Sequence, residues 1–378
     1  MHRAIFHPAF LLACLSGSGS ALAAASAPMV PSTYNYYVAP NGSDANPGTE
    51  TLPFETILRA SRLALPGTTI HVAPGVYRGG FKTTMSGSAS LRIAYVSTQR
   101  WGARIVPPLT SNSKIAWDNR GNYVDIVGFD IDGRNARNGT RWSIGIYSSG
   151  SHNVIKNNHV HHLAQDAPCV SAGASGISVD SYYKGVNGDI VGNTVHDIGP
   201  AGCRFMQGIY ISTTGSVRNN VVYSVGGAAI QMWHDARNVV VSNNTVSRSL
   251  TGIVVGGGDY YHTKGPNDFT SVHNNIVFDN RYGITELGAT GPNNTYRNNL
   301  VFQNAVTDWQ LLNGLTHTGT ITQAPQFVSY GKTDVPDFRL RSTSPAIGRG
   351  TDEAAAPTDI AGKTRAKATG IDIGAYQR

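Results

Sequence analysis

The most regular feature of the chain is a hydrophobic pattern that runs in short strands and returns at nearly fixed intervals. Six segments share it: Val154-Ile155-Lys156-Asn157-Asn158-His159-Val160, Ile190-Val191-Gly192-Asn193-Thr194-Val195, Val217-Arg218-Asn219-Asn220-Val221-Val222, Val241-Ser242-Asn243-Asn244-Thr245-Val246, Val272-His273-Asn274-Asn275-Ile276-Val277 and Tyr296-Arg297-Asn298-Asn299-Leu300-Val301. In each, a β-branched or aromatic residue leads into an asparagine and then into a second short apolar strand. The equivalent residues Asn158, Asn193, Asn220, Asn244, Asn275 and Asn299 are spaced by 35, 27, 24, 31 and 24 positions. A second marker keeps step: Gly145-Ile146, Gly176-Ile177, Gly208-Ile209, Ala229-Ile230, Gly252-Ile253 and Gly283-Ile284 each open another alternating strand. These runs are too short for helices and too rich in Val, Ile and Thr.

Each repeat therefore holds a Gly-Ile strand, a loop, a strand ending in asparagine, a corner and a third short strand. No repeat can bury its own apolar face, but coils stacked at about 4.8 Å share a continuous core. Asparagines recurring at one corner can bond to the next coil and satisfy polar groups that burial would otherwise leave unpaired. The pattern predicts an all-β chain wound as a right-handed parallel β-helix with three strands per coil and an Asn ladder. A β-propeller fits worse, because its blades need about 40 residues or more.

The ends depart from the repeat. Ile57, Leu58, Ala60, Leu63 and Ala64 have helical spacing within 54–64, which predicts a helix plugging the N-terminal end of the core. The expected organisation is an export signal over 1–27, an N-terminal cap and first coils over 28–118, a β-helix core over 119–310, and a C-terminal coil and cap over 311–378. The signal reading rests on Arg3, the apolar stretch around Ala9–Leu15, and the small-x-small sites Ala21-Leu22-Ala23 and Ala25-Ser26-Ala27. Leu11-Leu12-Ala13-Cys14 also loosely matches a lipoprotein box, so lipidation of Cys14 stays open. The expected location is secreted or periplasmic, with no membrane span after processing. Asn138-Gly139-Thr140 is a formal glycosylation sequon to which no role is assigned.

The opening Tyr37-Val38-Ala39-Pro40-Asn41-Gly42-Ser43-Asp44, with Asn46-Pro47-Gly48-Thr49, resembles a known family. So do Ala73-Pro74-Gly75-Val76-Tyr77 and the ending Ser344-Pro345-Ala346-Ile347-Gly348 with Asp372-Ile373-Gly374-Ala375-Tyr376. Together they are similar to secreted right-handed β-helix proteins of the pectate-lyase-like superfamily, across nearly the whole chain after the signal. The resemblance is specific for the fold and leaves the reaction open, since that superfamily includes lyases, hydrolases, epimerases and proteins without known activity. It implies a sugar-binding groove on one sheet flanked by loops. Calcium is a cofactor in many of those lyases and stays open here, because their Asp-Asp pair occurs nowhere in this chain. No other cofactor is expected.

Composition narrows the partner. The formal net charge is +7, or +6 once Arg3 is removed (7 − 1). That favours polyanions; export and the absence of any Lys/Arg run argue against nucleic acid, leaving an acidic polysaccharide. The expected state is a monomer. Of three cysteines, processing would leave Cys169 and Cys203, which precede Gly-Ile strands in successive repeats and are expected to form a disulfide.

Alternate strand residues face outward. With the isoleucines inward, Tyr147, Ser178, Tyr210, Gln231, Val254 and Thr285 form one external column, and Asp180 and Trp233 stand two positions further on. The repeat is interrupted around it by loops carrying Tyr182 and Lys184, Arg204, His234 and Asp235, and Asp259, Tyr260, Tyr261, His262 and Lys264. Interruptions on one face often mark a binding face. β-Elimination on a uronate needs a carboxylate clamp, a base for the C5 proton and an acid for the leaving oxygen. The assignment is Arg204 as clamp, His234 or a lysine (Lys184, Lys264) as base and Tyr210 as acid. Asp180, Tyr182, Gln231, Trp233, Asp235, Asp259, Tyr260 and His262 are expected to hold the sugars. Hydrolysis would instead need two carboxyl groups, with Asp180, Asp235, Asp259 and Glu286 as candidates. The outward column Asp132, His161, His196 and Tyr223 reads as a solvated structural ladder, with binding of a metal or a sugar as the alternative. The leading expectation is a polysaccharide lyase acting on uronate chains; the alternatives are a glycoside hydrolase on the same fold and a non-catalytic carbohydrate-binding or surface-structural protein.

Overall fold

The computed structural model describes residues 33–134, 140–331, 335–365, 368 and 370–378. The export segment 1–27, Cys14 and the Asn138 sequon lie outside them.

The strands wind as the repeat predicts. Gly-Ile strands, from Phe81–Thr83 to Thr307–Gln310, form a nine-stranded sheet. Strands ending at the asparagines, from Tyr34–Val38 to His317–Thr318, form one of eleven, and the third strands, from Gly75–Arg78 to Leu300–Phe302, form a second of nine. Every pairing within these three sheets is parallel and joins one coil to the next, for instance Ile177↔Ile209, Ile190↔Val217 and Val195↔Val222. The chain is thus a parallel β-helix. Inward columns Ile146, Ile177, Ile209, Ile230, Ile253 and Ile284, then Ile155, Ile190, Val217, Val241 and Val272, then Val160, Val195, Val222, Val246, Val277 and Val301 are all fully buried. At about 1.5–3 kcal/mol per side chain removed from water, these columns dominate the stability. The recurrent glycine has a steric cause: a Cβ on Gly145 would lie 2.5 Å from the Gly176 carbonyl oxygen of the next coil.

The Asn ladder forms as expected. Asn158, Asn193, Asn220, Asn244, Asn275 and Asn299 are buried. The Oδ1 of each from Asn193 onward accepts the backbone N–H of its predecessor at 2.9–3.0 Å. Each Nδ2 donates to a carbonyl of the preceding coil, such as Asn220 to Ile190 at 2.9 Å. The residue before five of the six rungs, Asn157, Asn219, Asn243, Asn274 or Asn298, has φ between 50° and 57°, and Gly192 before Asn193 has φ 68°. The doublet thus supplies a left-handed corner residue, which asparagine tolerates, followed by an inward rung. A shorter ladder that the repeat did not reveal runs through Ser249, Asn280 and Asn304 at another corner.

At the N-terminal end a helix spans Ile57–Leu63, shorter than the expected 54–64. Thr56 caps it by accepting from the Arg59 N–H, and Ile57, Ala60 and Ser61 face the core. At the other end Phe327–Ser329 pairs antiparallel with Asp337–Leu340. Much of the following tail runs back along the flank of the coils. The left-handed asparagines donate to its carbonyls: Asn219 to Thr358, Asn243 to Asp372, Asn274 to Thr351 and Asn298 to Arg349, at 2.6–3.0 Å. No helix among the described residues is long and apolar enough to cross a membrane.

Candidate functional site

The Gly-Ile sheet carries the outward column that the alternation requires, since Ser178 pairs with Tyr210 and Tyr210 with Gln231 on successive coils. Loops rising on both sides turn this wall into a cleft of about 610 Å³. Seven of the residues assigned from sequence line it: Asp180, Arg204, Tyr210, Gln231, Trp233, His234 and Asp259. A second hollow of about 620 Å³ lies beside the N-terminal helix, among Arg59, Arg62, Arg78, Asp44 and Glu55, away from the candidate chemistry.

One rim is tied by the expected disulfide. Cys169 and Cys203 are bonded, which joins the loops 164–173 and 199–205 and fixes the segment bearing Arg204. The Arg204 guanidinium is exposed, sits 4.9 Å over the Phe205 ring, and has no carboxylate partner among the described residues. It is a cation free to meet an anionic ligand.

The other rim is organised around Asp235, which the sequence placed among the sugar-binding groups. Its carboxylate instead points into the protein. It accepts the backbone N–H groups of Tyr261, His262 and Thr263 at 3.1–3.2 Å and the hydroxyls of Ser181 and Thr263 at 2.9 and 3.0 Å. Burial works to raise this carboxyl, but those donors outweigh it and hold it below the ordinary carboxylate range. Asp235 is therefore a positioning residue that shapes the 258–270 loop. His262 also departs from its assignment: its Nε2 lies 3.1 Å from the Tyr182 carbonyl, linking two loops outside the cleft lining. Tyr182, Lys184, Tyr260 and Lys264 likewise lie outside that lining.

That loop brings Tyr261, rather than Tyr260, against His234. The two rings stack at 3.9 Å, and the Tyr261 hydroxyl lies 2.7 Å from His234 Nε2. His234 Nδ1 lies 2.6 Å from the Asp259 carbonyl oxygen, which can only accept. Nδ1 therefore carries the proton, and Nε2 of the neutral ring is a lone pair receiving the tyrosine hydroxyl. His234 has a φ of 50°, which aims the ring across the cleft, and Tyr210 meets it edge-on at 6.0 Å. Burial, with Asp180, Asp235 and Asp259 nearby, pushes the Tyr261 phenol up to about 12. Burial and the same kind of carboxylate neighbours raise Tyr210 further, so both phenols keep their protons near neutrality.

Carboxylates are fewer here than the sequence suggested. Glu286 is fully buried inside the coil, accepting from Tyr296, Asn294 and the Leu312 N–H. With Asp235 also committed internally, Asp180 and Asp259 remain in the cleft. Asp180 accepts the Tyr182 N–H at 2.6 Å and Asp259 the Trp233 indole N–H at 3.3 Å. Calcium takes six to eight oxygen ligands, which these two carboxylates do not supply. The clusters of histidine and carboxylate ligand atoms among the described residues lie on the third-strand sheet.

This architecture defines a parallel β-helix with a lateral cleft, and comparison with known proteins gives it a family. Residues 36–196 match the Pel9A-like right-handed β-helix region, and residues 145–320 match the general right-handed β-helix region. Pectate lyase L of Dickeya chrysanthemi is 24% identical over 91% of this chain and 90% of its own length. The uncharacterized protein YwoF of Bacillus subtilis is 31% identical, but over 35% of this chain and 29% of its own. Among solved structures, pectate lyase Pel9A superposes with a TM-score of 0.59 over 93% of this chain and 98% of its own at 16% identity. A rhamnogalacturonan lyase gives 0.51 over 85% and 97%, also at 16%. A glycoside hydrolase gives 0.54 over 73% and 89% at 9%. The chain is a pectate-lyase-like right-handed β-helix protein.

Proposed function

We propose that this protein is an exported lyase that cleaves a uronate-containing polysaccharide by β-elimination. One observation carries the reading: an unpaired guanidinium and a hydrogen-bonded histidine–tyrosine pair face the same open cleft on the coil wall. Arg204 meets the uronate carboxylate and stabilises the charge that builds on it as the C5 proton leaves. The Tyr261 oxygen takes that proton while passing its own to His234 Nε2, and the resulting imidazolium stays anchored through Nδ1 on the Asp259 carbonyl. Tyr210 delivers a proton to the glycosidic oxygen as the C4–O bond breaks; an alkoxide is more basic than even a raised phenol. Trp233 and Gln231 offer a stacking face and an amide to neighbouring sugars. The Cys169–Cys203 bridge fits an oxidising compartment.

The test is to incubate the protein with polygalacturonate, alginate, glucuronan and rhamnogalacturonan and follow the ultraviolet absorbance of unsaturated uronate ends. His234→Ala should lower the rate by about 10²–10⁴-fold. New reducing ends without unsaturation would replace the lyase by a hydrolase using Asp180 and Asp259, and binding without cleavage would replace it by a carbohydrate-binding protein.

A further inference from the structure

The third-strand wall carries a cluster for which polymer cleavage has no use. On the successive strands Asp130–Asp132, His159–Leu163 and Thr194–Ile198, outward positions set Asp130 beside His159, and Asp132, His161 and His196 in a row. His162 and Asp197, at left-handed φ of 56° and 55°, join the same patch.

Its hydrogen bonds do not close among the side chains alone. Asp130 Oδ1 lies 2.9 Å from His159 Nδ1, the Nε2 atoms of His159 and His196 face each other at 2.8 Å, and His196 Nδ1 lies 2.7 Å from Asp197 Oδ2. Ionised carboxylates only accept, so each Nδ1 must carry its ring's proton. Both Nε2 atoms then present lone pairs to one another. Two neutral rings bring two protons to three contacts, and the middle contact needs a further positive centre. A metal ion placed there would find each ligand ring backed by a carboxylate, the arrangement that fixes the tautomer and raises ligand basicity in metal sites.

A third ligand lies beside them. His161 stacks 4.1 Å from His159, and His159, His161 and His196 each offer an atom within 4.8 Å of the others. His161 Nε2 lies 2.9 Å from Asp130 Oδ1 and its Nδ1 faces His162 Nδ1, so the ring has to release one of these contacts to ligate. The local charge accepts a cation: Asp130 and Asp132 pair with Arg104 and Arg134 while Asp197 meets only histidines, leaving one negative charge (3 − 2). The patch is also reachable, since the side chains of His159, His162 and Asp197 are 21%, 28% and 33% exposed. Two ligands on a tetrahedral zinc stand about 3.3 Å apart for Zn–N bonds of about 2.0–2.1 Å, so the facing nitrogens need to open by only about half an ångström. Imidazole ligands select zinc-like metals over calcium or magnesium.

We propose that this wall binds one divalent cation of the zinc class through His159, His161 and His196, with Asp130 and Asp197 orienting the rings from behind. The ion would join two adjacent coils, just short of the point where Tyr223 meets Phe338 and the tail begins to cover the sheet. The inference stands apart from the lyase reading, because the cleft lies on a different sheet.

The experiment uses tag-free protein stripped with a chelator, titrated with Zn²⁺ by calorimetry and with Co²⁺ by visible absorption. Expected are saturation near one equivalent, cobalt ligand-field bands typical of nitrogen ligation, and no displacement by Ca²⁺. Zn²⁺ should raise the thermal midpoint of the wild type but not of His196→Gln. His159→Gln and His196→Gln should lose saturable uptake with unchanged circular dichroism, and Asp197→Asn should weaken binding by about 10–100-fold. Wild-type protein that takes up neither metal overturns the proposal whatever the variants do, and so does uptake unchanged in both glutamine variants.

Discussion

The cleft wall and the asparagine corner are built on the same coils, yet they treat polar groups in opposite ways. At the corner every rung both accepts and donates, so Asn193, Asn220 and Asn244 leave no amide hydrogen-bonding capacity for a ligand. At the cleft, Arg204 has no carboxylate partner among the described residues and the His234–Tyr261 pair faces an open space. Both regions are strongly polar by composition. The difference teaches that polarity marks function here only where loops hold a group away from partners that would consume it. Stability should therefore follow the corner and activity the loops.

The largest expected effect tests the corner. In Asn220→Ala the Asn193 N–H and amide lose their acceptor, and the Ile190 carbonyl and Asn244 Oδ1 lose a donor. Each buried group left unpaired costs about 1–3 kcal/mol, and partial relaxation should leave a total of about 3–5 kcal/mol, measured by denaturant unfolding. A loss under about 1 kcal/mol would mean that the ladder decorates a core able to stand without it, and the contrast would collapse.

Asp235→Ala moves to the loops. Removing the acceptor of three backbone N–H groups should release the segment that places Tyr261, and a displacement near 1 Å costs about 10²-fold in kcat/KM. The thermal midpoint should shift far less than in Asn220→Ala. The same bonds set a pH limit. Asp235 has a folded pKa below the unfolded value of about 3.9, so its contribution is complete above that value and fades as pH falls through the lower folded one. Limited proteolysis within 258–270 should therefore be constant from neutral pH to about pH 5 and accelerate only in stronger acid. Acceleration already at pH 6 would point to an imidazole instead.

How much of this was legible in the chain follows the same division. The isoleucine columns, the ladder, the disulfide and the outward row Tyr147, Ser178, Tyr210 and Gln231 all obey a period, so sequence alone located them. Glu286 obeys it too, since it follows outward Thr285 and points inward, but the sequence does not show the partners that make an inward carboxylate tolerable, Tyr296, Asn294 and the Leu312 N–H. Loops have no parity. Nothing in Asp259-Tyr260-Tyr261-His262 says which tyrosine turns inward, and nothing in His234-Asp235 says that the histidine faces the cleft while the aspartate faces the fold.

A third variant sharpens the contrast within the loops. Cys169→Ser with Cys203→Ser cuts the tie beneath Arg204 and leaves the His234–Tyr261 pair untouched. Because Arg204 both holds the carboxylate and stabilises the charge that builds on it, KM for a polyuronate should rise and kcat should fall together, each by up to about tenfold. A rise in KM with kcat unchanged would show that the guanidinium only binds the carboxylate and takes no part in stabilising the transition state.

The smallest effect concerns the tail on the coil flank, where an ion pair and an amide compete as explanations of its attachment. Arg297 pairs with Glu353 at 2.8 Å, but both side chains are well exposed, at 41% and 54%. Such pairs are worth about 0–1 kcal/mol, so Arg297→Ala should move stability by no more than about 0.5 kcal/mol and lose even that in high salt. Asn274 lies one coil-width away, buried, donating to the Thr351 carbonyl at 2.7 Å and accepting the Thr351 N–H at 2.8 Å. Its replacement by alanine removes both and strains nothing less than a left-handed corner, at φ 57°. The cost should be about 1–3 kcal/mol, independent of salt. If the two variants proved equal, or if salt weakened both, charge rather than the asparagine corner would hold the tail, and the corner's role would end at the interior of the coil.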